Sequence, residues 1–176
     1  MTAIQVASAA DLKAMSKHEI EVRTRCAQIM DATVANAGNW HYLAHRDLVT
    51  PNLGQAEHGI VEADCSKGDL DINFLAGAKD WTKGYGGARP WQGNSVAAFH
   101  GCVHIERAHL RVGDSVVWGN EGRIHMAKVR TIGKVTKLWG MGSEAGPSYR
   151  TFAQNNLYFK SKFYDGTVTT CLRLPL

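Results

Sequence analysis

A cysteine becomes a nucleophile at neutral pH only where its surroundings favour thiolate over thiol. Cys65 stands in such a place, in the stretch Glu62-Ala63-Asp64-Cys65-Ser66-Lys67-Gly68. A proline- and glycine-bearing segment, Pro51 to Gly59, ends just before it. After it, Leu70, Phe74 and Leu75 recur at helical spacing, with Asp69, Asp71 and Asn73 between them. The pattern predicts a helix with Ser66 and Lys67 in its first turn and Cys65 at or just before its start. There, unpaired N–H groups and the positive end of the dipole favour the charged sulfur. The competing reading is a small buried core residue.

A thiol that cuts amides also needs a base, a group that orients the base, and donors for the oxyanion. One histidine, His125, stands at the start of the second of two predicted strands. Leu110 to Gly119 reads as a turn, Val112-Gly113-Asp114, leading into a strand; Asn120-Glu121-Gly122-Arg123 is a hairpin turn. Ile124 to Val129 is the returning strand, with His125 at its start. At a helix start, the Cys65 backbone N–H would supply one oxyanion donor.

The order Asp-Cys-Ser at a helix start, Val-Gly-Asp before a strand, and His at the start of the next strand resembles the NlpC-type cell-wall cysteine peptidases. It is closest to the peptidase modules of lysins from phages of actinobacteria, which carry Asp-Cys-Ser-Lys-Gly and then an Ala-Gly-x-x-Asp segment. That segment corresponds to Ala76-Gly77-Ala78-Lys79-Asp80, and a Tyr-Gly-Asn-Ser-like stretch is spread over Tyr85-Gly86-Gly87 and Gly93-Asn94-Ser95. The resemblance runs from about Trp40 to the C-terminus. It implies a reduced papain-like fold of class α+β, with N-terminal helices packed on an antiparallel sheet. It also implies a peptidoglycan hydrolase that cleaves an amide of the stem peptide in phage lysis or entry, with Cys65 as nucleophile and His125 as base.

The resemblance further implies substrate-binding roles for Asp64, Ser66 and Tyr42. Asp64 would bind the free amino group of the stem peptide, or else cap the helix. The Tyr42 hydroxyl would reach the pocket, or else its ring plugs the space between the first helix and the sheet. One position departs from the pattern. Where relatives carry a polar residue, often His, to orient the base, this chain has Met141 before Gly142-Ser143-Glu144. A thioether accepts no useful hydrogen bond from imidazole. A backbone carbonyl, a water or Glu144 would then orient His125, or the chain is a catalytically impaired virion-structural or wall-binding protein that keeps the fold.

The elements that must position these residues fit one domain. The 176 residues suffice for a single core. The net charge of +4 suits an anionic polymer, but no Lys/Arg run or basic–aromatic stripe favours nucleic acid. No stretch approaches the ~18 apolar residues of a membrane span. The start, Met1-Thr2-Ala3-Ile4-Gln5, lacks the features of a secretory signal, so the expectation is synthesis in the cytoplasm and action at the wall after release or within a virion. Cys26, Cys65, Cys102 and Cys171 lack a C-x-x-C spacing and read as reduced thiols.

Ser8 offers a helix N-cap, and Asp11 to about Ala37 reads as a helix interrupted near Ser16-Lys17-His18. Residues 1–38 are thus expected to brace the core, with Cys26 inside it. Trp81 to Gly93 is a glycine- and aromatic-rich loop that either lines a groove or folds onto the body. Ser95 to Phe99 reads as a short helix. His100, Cys102 and His104 would share one face of a strand, but without a fourth ligand at metal-site spacing no metal or cofactor is expected. Later strands are expected at Lys134 to Trp139, Tyr149 to Phe152 and Thr167 to Leu174, with Gly140 to Pro147 as a loop.

Overall fold

The computed structural model describes residues 4–42, 61–63, 65–78, 102–120, 123–142, 145–162 and 168–173. Helix α1 is Ala9–Leu12, capped by Ser8, whose hydroxyl accepts the Asp11 N–H at 3.1 Å. The expected interruption follows, and Ser16 caps the long helix α2, Lys17–Ala35, through the Glu19 N–H at 3.0 Å. A 3-10 turn at Ala37–Asn39 leads into β1, Trp40–Tyr42, which pairs in parallel with β2, Val61–Ala63. Helix α3, Cys65–Leu75, comes next.

The main sheet contains β3 (Val103–Ile105), β4 (Ser115–Asn120), β5 (Arg123–Thr131), β6 (Lys137–Gly142), β7 (Ala145–Thr151) and β8 (Val168–Arg173). Its order is β3-β8-β4-β5-β6-β7, antiparallel throughout. Helix α4, Phe152–Lys162, lies between β7 and β8 in the chain. The class is α+β.

Side chains alternate across a strand, so each strand divides its residues between two covered faces. Val22, Cys26, Ala27 and Met30 of α2 and Ile72 and Ala76 of α3 cluster with Trp139 and Met141 of β6. On this face Trp139 donates its indole N–H to Thr33 at 2.8 Å and stands edge-on to Trp40. The other face carries Val116, Trp118, Ala127, Val129, Leu138 and Cys171, packed with Phe152 of α4. Helices therefore cover both faces, where the expected order put helices first and the sheet after them.

Four further expectations are corrected. Gly140 to Pro147 is no loop: Gly140↔Ser148 and Gly142↔Ala145 pair as a hairpin, with an irregularity between Gly140 and Gly142. Lys134 stands before β6 rather than in it, because Gly133 takes φ +119° at a bend. Phe152 ends no strand but opens α4, through a reciprocal cap in which Thr151 and Gln154 each accept the other's backbone N–H, at 3.2 and 2.8 Å. In α3 the faces are reversed: Asp69, Asp71, Ile72 and Asn73 are buried, while Leu75 is 41% exposed. Ser95–Phe99 and the 81–93 loop lie outside the described residues. Among the described residues no helix is long and apolar enough to cross a membrane.

Candidate functional site

Cys65 is the first residue of α3 and is buried, with 6% of its surface exposed. The expected helix start is therefore in place. Gly68, one turn on, lets the helix approach the sheet: a Cβ there would come 2.6 Å from the Trp139 ring. At the far end, Gly77 takes φ +95° and the Ala78 N–H bonds back to the Asn73 carbonyl at 3.0 Å, closing the helix.

What holds α3 on the sheet is a buried ion pair that the amphipathic pattern concealed. Lys128 Nζ lies 3.0 Å from Asp69 Oδ1, and neither side chain is exposed. The Ser115 hydroxyl donates to the same carboxylate oxygen at 2.7 Å, and Lys128 also donates to the Gly113 carbonyl at 3.2 Å. Burying two charges is tolerable only when both are paired and hydrogen-bonded. A lysine flanked by Ala127 and Val129 in a predicted strand was the available signal, since such a residue is almost never fully buried unless paired.

The Val-Gly-Asp turn before β4 is a second anchor. Gly113 takes φ +88°, which an L side chain rarely adopts. That turn delivers Asp114 to the interior, where its carboxylate accepts from Arg23 at 2.9 Å, from Arg173 at 2.8 Å and from the Arg111 N–H at 2.8 Å. Arg23 also pairs with Glu19 at 2.8 Å. One aspartate thereby ties α2 and β8 to the start of β4. The motif's observable work in this chain is structural.

His125 lies on β5, opposite Trp118 of β4. The β4–β5 pairing is regular from Ser115↔Lys128 to Asn120↔Arg123, so His125 and Lys128 face opposite sides of the sheet. Lys128 faces α3, and the surroundings of His125 confirm that it faces α4. Its ring lies 6.1 Å from that of Trp118, which packs in turn on Phe152. A Cβ on Gly140 would come 3.4 Å from its Nε2. The imidazole is 8% exposed. Burial, aided by the Arg150 charge, pushes its pKa down to about 3, so the ring is neutral at pH 7.

The structure thus puts Cys65 and His125 each at the start of its predicted element. It does not bring the imidazole to the face on which the Cys65 helix packs. The residue of β5 that pairs with α3 among the described residues is Lys128, through its ion pair with Asp69. Met141, the position that departs from the family pattern, is fully buried in the Trp139 cluster. Tyr42 falls in β1 and Ser66 in α3 as backbone only; Asp64, Glu144 and His100 lie outside the described residues.

The other three thiols are inert by position. Burial pushes Cys26 and Cys171 up to about 11 and Cys102 up to about 12. None of the four cysteines is in a disulfide. His104 is exposed and meets Thr170 at 2.8 Å, while Cys102 is buried, so the two do not share an open face. Among the described residues no group of three or more His, Cys, Asp or Glu could hold a metal. Among known proteins, no family model matches this chain and no curated protein matches it.

Proposed function

We propose that this chain is a peptidoglycan-directed binding protein of reduced papain-like architecture, acting in phage entry or lysis without turning substrate over. Two things support its direction toward the wall. One is the order of Asp64-Cys65-Ser66, Val112-Gly113-Asp114 and His125; the other is a mildly basic net charge of +4. The observation that carries binding over hydrolysis is the placement of His125. Its ring lies on the α4 face, neutral, while the Cys65 helix packs on the opposite face through Asp69 and Lys128. On that face His125 is not placed to serve as the base that amide cleavage at Cys65 needs.

A second reading is the stem-peptide hydrolase itself, with Cys65 as nucleophile. It is favoured by the position of Cys65 as the first residue of an 11-residue helix. In this reading the base is His125 only if β5 shifts by one residue against its neighbours, which turns every side chain to the other face.

Sedimentation with purified peptidoglycan, followed by mass spectrometry of the supernatant, separates the two. The binding reading expects co-sedimentation and no new stem-peptide fragments. Fragments that appear with the native chain and vanish with Cys65→Ala would establish the hydrolase instead. Neither fragments nor co-sedimentation would remove the wall from the account.

A further inference from the structure

The α4 face of the sheet holds a polar cleft that no step of the expected peptidase chemistry uses. Paired residues of an antiparallel sheet share a face, so Gly140↔Ser148 and Leu138↔Arg150 place these four on the side of His125. Asn155, in the first turn of α4, closes the cleft from above and is 4% exposed. The space among these residues is about 200 Å³ out to its mouth, and its inner end admits a single water-sized group. It exists because residue 140 is glycine, whose Cβ would otherwise fill the gap beside His125 Nε2.

The lining has one sign of charge. Among the described residues Arg150 is the only charged member of the lining, and its guanidinium has no acidic partner. The flat face of Arg150 stacks on Tyr158 at 4.1 Å, which fixes the group without neutralising it. Around it stand the His125 ring and the Asn155 amide and Ser148 hydroxyl, the last two able to donate hydrogen bonds. The first turn of α4 adds backbone N–H groups and a positive dipole end.

We propose that this cleft binds a carboxylate, of the kind carried by a peptide chain end, with one oxygen inserted beside His125, Ser148 and Asn155 and the charge held by Arg150. The inner end takes a single oxygen, which leaves the second carboxylate oxygen at the mouth beside Arg150. The site is independent of wall binding and of any role for Cys65.

The test is a protein-observed NMR titration of the full chain, following the His125 imidazole and Trp118 indole signals. The probes are N-acetylalanine, its uncharged amide, and inorganic phosphate. The expected result is saturable shifts with N-acetylalanine and binding at least ~10-fold weaker for the amide, the loss typical when a charged hydrogen bond is removed. Arg150→Gln, checked for an unchanged melting temperature, should weaken N-acetylalanine by a similar factor. Equal binding of acid and amide in the native chain, tighter binding of phosphate, or no saturation with any probe overturns the proposal. The native comparison decides even if the variant misfolds.

Discussion

At the scale of single residues, Met141 is where the chain departs most clearly from the peptidase pattern, and its surroundings account for the side chain present. It is fully buried beside Trp139, in a cluster with Met30 and Ile72. An imidazole placed there would lie among these apolar side chains, at the irregularity between Gly140 and Gly142. Met141→His therefore buries a polar ring in apolar surroundings, at a cost of ~1–3 kcal/mol. We expect a lower melting temperature and no stem-peptide cleavage from this variant. Cleavage that appears on introducing the histidine would mean that position 141 does face a base at the cysteine.

At the scale of elements, α3 is held by charge as much as by apolar burial. Lys128→Met strands the Asp69 carboxylate in the interior and should cost ~3–5 kcal/mol, whereas Asp69→Leu combined with Lys128→Met should recover most of that loss. Urea denaturation of both variants checks the non-additivity; strictly additive losses would show that the pair is uncoupled. At the start of α4, Thr151→Ala removes one half of the reciprocal cap and should cost ~1 kcal/mol, with Thr151→Ser close to native.

These same elements mark how far the sequence could be read. Ser8, Ser16, the hairpin at Asn120–Arg123 and the helix beginning at Cys65 carry local signals, a cap or a turn, and the structure has them there. Helix α4 carried one too, the Thr151-x-x-Gln154 cap, but its body, Asn155-Asn156-Leu157-Tyr158, lacks an apolar stripe. Gly140 to Pro147 reads as a loop by composition, yet strand pairing with neighbours overrides composition. In α3 the polar residues Asp69 and Asn73 are buried beside Ile72, because their partners Lys128, Ser115 and Cys26 come from elements far along the chain. No local pattern reports such partners.

At the scale of the whole molecule, the account depends on which elements cover which face of one sheet. The motifs place Cys65 and His125 at the starts of their elements, but the side of the sheet that each faces depends on strand parity. That parity is locked by Lys128, which meets Asp69 of α3 and so turns His125 toward Trp118, Arg150 and α4. The state of His125 reports this arrangement directly. A ring buried on the α4 face is neutral, whereas a ring beside a thiolate is held protonated. The decisive measurement is the NMR titration of His125 in the native chain and in Cys65→Ala. The account predicts a pKa well below the ordinary 6.5, near the value of about 3 that burial and Arg150 impose, and the same in both proteins. A pKa at or above 6.5 that falls when Cys65 is removed would reveal a thiolate–imidazolium pair and contradict the separation of the two residues.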